Sequence, residues 1–415
     1  MLGISEEDVY EGRWRYLAEG ALNVVFRYQA TTNHPAFTGK VLRVSKLKFQ
    51  DSGRMMDHMR QLFGSFLGNH LIPSSIPVAL SGSVAAQLMH FILPCRKEKR
   101  RKEFDGDEFK ALKQVEACLM PNLTLDSQSN PAFTLEIKPK WGFMPSFDSV
   151  HPVKKRFCRY CMHQRLKLEE GSIESIGGYC PLDLFSEDPE RIQQALEELT
   201  LNPQNNLRLF VGGIEKDPAS LMEIEEKLLG LRTRRQVLDL LLQVIIEITP
   251  LLRQIKAIQM LDEIDIQNLF PLWNRLEPDE KEKIDAAVLS QSWKSQFLEY
   301  ARDSLKREVL REKPGNESGI ESKSLDLSEV VLSLCAKFLV SVSAKDLSLM
   351  ITIWPALDED KIDSNLIHIS MNGIQFSARV AVVDIDFKSS SKMKKWFETD
   401  QEIMKTFCKD MDIHE

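Results

Sequence analysis

The spacing of apolar residues changes along this chain, and each change marks an element. Trp14 to Glu19 and Val24 to Tyr28 are short β-prone runs flanking Gly20-Ala21-Leu22-Asn23, which predicts strand, turn, strand. Lys40-Val41-Leu42-Arg43-Val44 adds a third strand. From Met55 to Leu67, Met55, Met59, Leu62, Phe63 and Phe66 fall at helical spacing. Phe133 to Lys138 predicts a strand stopped by Pro139. Pro189 to Leu199 predicts a helix, with Ser186 and Asp188 as candidate caps. Ser220 to Leu261 reads as mostly helical, with breaks near Gly230 and Pro250. Its greasiest part, Val237 to Ile248, carries Asp239, Gln243 and Glu247 at every fourth place. That is one polar stripe on a core helix, far too short to span a bilayer. Lys313 to Gly319 is the expected linker, and Leu347 to Trp354 and Ile374 to Phe387 are late strands. Strands, a helical body and strands again indicate α+β, without internal repeats.

At 415 residues the chain has room for two or three domains, or for one large two-lobed enzyme. With 43% apolar and 28% charged residues it is neither fibrous nor disordered. Seven scattered cysteines do not form a secreted disulfide scaffold. Glu6, Glu7, Asp8 and Glu11 make the start acidic where a secretory signal would be basic and then apolar. A soluble intracellular protein is expected. The net charge of −7 excludes a protein that coats nucleic acid with its whole surface.

Charge is unevenly placed. Between Lys138 and Lys167 stand Lys138, Lys140, Lys154, Lys155, Arg156, Arg159, Arg165 and Lys167, opposed by Asp148 alone. This is either a solvated basic face or a funnel for phosphate groups. Lys138 and Lys140, two apart at a strand end, should point the same way. Arg165 and Lys167 flank an expected helix near a Cys-x-x-Cys turn. Aromatic residues are not interleaved as in a nucleic-acid module. A second basic run, Arg96 to Lys102, should lie on a loop or an exposed helix. The Gly20 turn, followed by a strand bearing Lys40 or Arg43, matches either a plain hairpin or a cover for ATP phosphates.

Asp384 and Asp386 alternate with Ile385 and Phe387, so both acids should share a face suited to Mg²⁺ or to solvent. Asp262 and Asp265 read as caps or surface pairs, and Glu136 as an ion-pair partner. Cys158 and Cys161, with Cys180 nineteen residues on, suit a structural zinc, with His151 or His163 as fourth ligand. Cys95, Cys118, Cys335 and Cys408 read as core or incidental.

Several segments together resemble the inositol-pentakisphosphate 2-kinase family. The main one is Glu136-Ile137-Lys138-Pro139-Lys140-Trp141-Gly142-Phe143. It is joined by Arg159-Tyr160-Cys161-Met162-His163-Gln164, Pro181-Leu182-Asp183-Leu184-Phe185-Ser186 and Pro203-Gln204-Asn205-Asn206-Leu207-Arg208. Further echoes are Pro121-Asn122-Leu123-Thr124, Gln259-Met260-Leu261-Asp262, Ala344-Lys345-Asp346 and Asp384-Ile385-Asp386. The resemblance implies a protein-kinase-like, two-lobed fold, with a small N-lobe over 1–128 and a larger C-lobe over 129–415. The C-lobe would include a zinc-stapled segment near 151–180. The implied reaction is transfer of the ATP γ-phosphate to the 2-hydroxyl of inositol 1,3,4,5,6-pentakisphosphate, giving inositol hexakisphosphate.

The resemblance gives Gly20 and Asn23 to the ATP-phosphate loop and Arg43 to the phosphate cation. Lys138 would be shared between γ-phosphate and inositide. Lys140, Lys167, Asn205 and Arg208 would bind inositide phosphates, with Arg101 or Arg100 reaching in from the N-lobe. Asp384 would bind Mg²⁺ and serve as possible base. ATP, Mg²⁺ and structural Zn²⁺ are the expected cofactors, and His151 becomes the favoured fourth zinc ligand, with His163 the alternative. A monomer in nucleus and cytoplasm is expected, with no membrane and no obligate nucleic acid. Alternatives are a kinase of less phosphorylated inositols and a non-catalytic, zinc-stapled RNA-binding protein.

Overall fold

Two sets of strands, one following the other along the chain, each close on a core of their own. The computed structural model describes residues 2–4, 13–20, 22–29, 36–46, 52–126, 128–218, 229–289, 299 and 327–412. Among these, the first sheet holds β1 (Leu2–Gly3), β2 (Trp14–Glu19), β3 (Asn23–Tyr28), β4 (Lys40–Ser45), β5 (Ile76–Ser81) and β6 (Gln114–Pro121), in the order β1-β5-β6-β4-β3-β2. Only the short β1–β5 pair is parallel among these pairings. Val24 and Phe26 alternate inward on β3 and pack with Leu42, Val44 and the helix Gly82–Phe91. Trp14 meets Phe37 edge-on at 5.5 Å. Each such large apolar side chain contributes about 1.5–3 kcal/mol on full burial.

The second sheet holds β7 (Phe133–Ile137), β8 (Leu207–Val211), β9 (Ile214–Lys216), β10 (Ser348–Pro355), β11 (Ile367–Met371) and β12 (Ile374–Val383), ordered β11-β12-β10-β7-β8-β9 and antiparallel throughout. β7 is buried along its whole length, as a central strand should be. Helices cover this sheet. Arg234–Glu247 buries Val237, Leu240, Leu241 and Val244 at helical spacing, and its start is capped by Thr233, whose hydroxyl accepts from Gln236 N. Pro250 stands in the first turn of the next helix, Thr249–Gln259, where its missing N–H costs nothing. Asp188 caps Pro189–Leu201, accepting from Glu190 N at 2.9 Å. The molecule is thus α+β, as the spacing suggested. The linker expected at 313–319 and the segment 219–228 lie outside the described residues. No described helix is long and apolar enough to cross a membrane.

The sheets meet at a few places. Leu17, Val41 and Phe210 form a small cluster that joins β2 and β4 to β8. The connector after β6 is pinned to the second sheet, with Arg379 Nη2 donating to Leu125 O at 2.6 Å. Asn122 Oδ1 locks that connector by accepting from Thr124 N and Thr124 Oγ1.

Candidate active site

Strand ends deliver the acidic residues. β12 stops at Val383, and Asp384 takes a left-handed backbone with φ 59°. That turn ends the strand four residues before the expected Phe387. Lys138, the first residue past β7, donates to Asp384 Oδ2 at 2.8 Å, and Ser348 Oγ donates to the same oxygen at 3.2 Å. Burial acts to raise the Asp384 carboxyl, but Lys138, Arg43 and Ser348 outweigh it and hold it below the usual range. Burial likewise acts against the Lys138 ammonium, and Asp384 and Asp346 more than restore it.

Asp386 Oδ1 accepts from Arg43 Nη2 at 2.6 Å, a bond from β4 of one sheet to the strand end of the other. The Asn23 carboxamide is best satisfied with its oxygen toward that guanidinium, at 2.7 Å. Gly20 N donates to Asn23 O at 2.9 Å and Gly20 O accepts from Lys46 Nζ at 2.9 Å. A Cβ on Gly20 would meet nothing closer than 4.0 Å. This glycine relieves no crowding; it leaves open surface above the cavity. Lys46 shares buried Glu19 with Arg96, which fastens the turn to the start of the second basic run.

A cavity of about 990 Å³ lies between the sheets, lined by Gly20, Asn23, Arg43, Lys138, Asp384 and Asp386. Asn205, Arg208, Asp346 and Lys388 line it as well. Asp346 ends the helix Leu327–Asp346 and meets Lys388 Nζ at 2.8 Å and Lys140 Nζ at 3.5 Å. Its carbonyl accepts from Lys138 Nζ at 3.4 Å. Burial would raise the Asp346 carboxyl, yet Lys388 and Lys140 bring it down to about 2. Burial lowers the Lys140 ammonium to about 8, with Asp346 resisting and Lys138 and Lys167 adding to the fall. Lys138 and Lys140 do converge, but for a different reason than strand alternation. β7 ends at Ile137, and Lys140 has a left-handed φ of 62°. The backbone turn after Pro139, rather than a shared sheet face, brings both to Asp346.

Arg159, His163 and Lys167 lie on the helix Arg159–Glu169 at i, i+4 and i+8, which is one face. Burial, then Arg159, Lys167 and Lys140, lower the His163 imidazole to about 3. His163 therefore belongs with the cations around Lys140. Its fourth-residue spacing from Arg159 and Lys167 was the signal available in the sequence. Lys388 and Asp346 were also missed as site residues, since a lone acid among lysines shows no pattern in composition.

The basic segment from Lys138 to Lys167 divides. Lys154 is 2% exposed and held between Asp265 at 2.5 Å and Asp400 at 2.7 Å, so it is a structural ion and not a phosphate ligand. Arg165 lies well around the helix from Lys167 and meets Asp410 at 3.2 Å, while Lys155 donates to Asp148 O. Asp262 and Asp265, expected as caps or surface pairs, are buried in ion pairs with Lys345 and Lys154, and Asp265 also caps its helix start by accepting from Gln267 N at 2.9 Å. Arg208 is chelated by Glu215 and by Glu136, as expected of Glu136, so its charge is already answered. Arg101 is exposed and outside the cavity lining, whereas Arg100 and Lys97 line it. Lys140 and Lys167 are not lining residues, and Lys140 reaches the cavity through Asp346.

The Sγ atoms of Cys158, Cys161 and Cys180 lie within 4.8 Å of one another, close enough for one tetrahedral ion to bind all three. Hydrogen bonds with Cys158 and Cys161 lower Cys180, while those with Cys158 and Cys180 raise Cys161. Among the described residues no histidine joins this group. His151 Nδ1 instead accepts from Val153 N at 3.3 Å, and His163 faces cations. The thiol cluster adjoins the basic helix, since Cys158 is its N-cap and Tyr179 O–H donates to Pro139 O at 2.9 Å.

A family model described as inositol-pentakisphosphate 2-kinase matches residues 16–402. The chain belongs to the inositol-pentakisphosphate 2-kinase family. It is similar to the inositol-pentakisphosphate 2-kinase of Oryza sativa subsp. indica, 27% identical across 96% of this chain and 94% of that one. The proteins of the same description from Cryptococcus neoformans and Danio rerio are 26% and 24% identical, each over 96% of this chain and 94% of theirs. Membership makes this chain a kinase, an enzyme of the transferase class. Two charged groups thus meet at Lys138, one of Arg43, Asp386 and Asp384, the other of Lys140, Asp346 and Lys388.

Proposed function

We propose that this chain transfers the γ-phosphate of ATP to the 2-hydroxyl of inositol 1,3,4,5,6-pentakisphosphate, forming inositol hexakisphosphate. One observation carries the reading: Lys138 joins two acidic residues in different company, donating to the carboxylate of Asp384 and to the main-chain carbonyl of Asp346. Asp384 stands with Asp386, Arg43 and Asn23, while Asp346 stands with Lys140 and Lys388. The first group suits a nucleotide's phosphates and the second an inositide's. We read the sheets accordingly as two lobes, 1–128 and 129–415, with transfer at their junction.

Asp384 and Asp386 present the hard carboxylate oxygens that Mg²⁺ takes, and the ion would neutralise charge on the nucleotide phosphates. Arg43 and Lys138 then hold the transferring group and stabilise its equatorial oxygens. The bond from γ-phosphorus to the β-bridging oxygen breaks as the inositol 2-oxygen bonds to phosphorus. On the inositide side Asp346 is the better-placed group to take the hydroxyl proton, and Asp384 keeps the metal role. So weak a base takes the proton late, which a loose transition state allows. Five phosphates carry roughly −8 to −10 charges. Lys138, Lys140, Lys167 and Lys388 are the cations that would meet them. Cys158, Cys161 and Cys180 would hold a structural zinc beneath the basic helix, with the fourth position left to a group other than His163.

The test is incubation with ATP, Mg²⁺ and a panel of inositol phosphates, with products separated by charge. Label should enter the pentakisphosphate whose 2-hydroxyl is free, with little in inositols bearing fewer phosphates. Equal turnover of a less phosphorylated inositol overturns the substrate. RNA affinity without ATP consumption overturns the phosphotransfer.

A further inference from the structure

Two of the segments noted in the sequence, Gln259 to Asp262 and Ala344 to Asp346, meet behind the Lys140 turn, and the reaction as described leaves Gln259, Asp262 and Lys345 without a task. Gln259 ends its helix fully buried. Its carboxamide is used completely: Nε2 donates to Lys140 O at 2.7 Å and Ala344 O at 3.2 Å, and Oε1 accepts from Gly142 N at 2.8 Å. One amide therefore ties the backbone on both sides of Trp141 to the end of the helix that carries Asp346. Three residues on, Asp262 holds Lys345 at 2.6 Å, both buried. The Lys345 ammonium lies 3.9 Å from the Trp141 ring centre. From the other side Gly142 rests on the Phe185 ring, where an added Cβ would come within 2.5 Å. A lysine keeps a left-handed φ only where its surroundings over-determine it, and here they do.

We propose that Gln259, backed by the Asp262–Lys345 pair, is a positioning residue that fixes the spacing of Lys140 and Asp346 and so sets how the pentakisphosphate is held. The inference rests on the functional reading above. Without the amide, two buried carbonyls lose their shared donor and Gly142 N loses its acceptor, and each seeks a new partner. The turn then relaxes and carries Lys140 away from Asp346. Arg43, Asn23 and Asp386 hang on β4, β3 and the end of β12, so the nucleotide half keeps its geometry.

The test uses the full chain with Gln259→Leu and Gln259→Glu, a non-hydrolysed ATP analogue for nucleotide binding, and ATP with Mg²⁺ and inositol 1,3,4,5,6-pentakisphosphate for turnover. Analogue affinity should stay within about twofold, while kcat/KM for the inositide falls about 100-fold, as misplacement of a positioned group does. In Gln259→Glu, protonation restores a donor. The ratio of variant to wild-type inositide affinity should therefore climb as pH falls from about 8 to about 6, a response that lost packing alone does not give. Should Gln259→Leu not fold, this pH series decides by itself. Wild-type inositide affinity and kcat in a folded variant, a flat ratio with pH, or equal losses for both ligands overturn the proposal alone. A wild-type chain that fails to bind the pentakisphosphate overturns the functional reading and this inference with it.

Discussion

Lys138 touches both halves of the site, so its removal should separate catalysis from folding. Lys138→Met is expected to lower kcat by about 10²–10³-fold, the usual cost of losing one group that stabilises transition-state charge. Melting should move by only a few degrees, because Ser348 still holds Asp384. Phosphate incorporation and thermal melting check both, and wild-type kcat would remove Lys138 from the mechanism. Lys140 gives a proton signature. Its free ammonium titrates near 8, and bound phosphates favour the charged form, so binding must raise that value. At pH 8 the complex should therefore take up roughly half a proton, falling toward none as pH drops and the free lysine is already charged. Calorimetry in Tris and HEPES measures this, and the same uptake in Lys140→Met would contradict it. Lys138 and Lys140 were legible as a dense run of charge. The counter-charges were not, because Lys154 and Arg165 look like ligands until Asp265, Asp400 and Asp410 are seen beside them.

Elements built from a single period were readable. The helix Arg234–Glu247 shows its polar stripe in the sequence, and β2 begins and ends where its β-prone run does. What escaped were turns in which a residue other than glycine takes a left-handed backbone, at Lys140 and Asp384. Composition holds no trace of such turns, and both place site residues. Zinc at the start of the helix Arg159–Glu169 belongs to this scale, for Cys158 caps the helix that carries Arg159, His163 and Lys167. Purified chain should carry about one zinc. Cys180→Ser should lose it, lower the melting temperature by several degrees and raise KM for the inositide more than for ATP. Metal far below one per chain after mild purification would defeat the zinc assignment.

Across the whole molecule a net charge of −7 coexists with a local group of cations, and the fold reconciles them. Lysines from the end of β7, from the basic helix and from the segment after β12 converge, while most acids lie elsewhere. Such convergence is long-range: Lys138 meets an acid 246 residues away in Asp384. A single sequence carries that information only as separate motifs, and their meeting requires the tertiary structure. The account stands on these groups holding one inositide beside one nucleotide. Its most direct measurement is a crystal structure with a non-hydrolysed ATP analogue, Mg²⁺ and inositol 1,3,4,5,6-pentakisphosphate bound. The γ-phosphate should lie against Lys138, the ion against Asp384, and the free 2-hydroxyl should point at that phosphate with Asp346 beside it. An inositide seated away from Lys140 and Lys167, or one presenting a phosphate where the 2-hydroxyl should be, would contradict it.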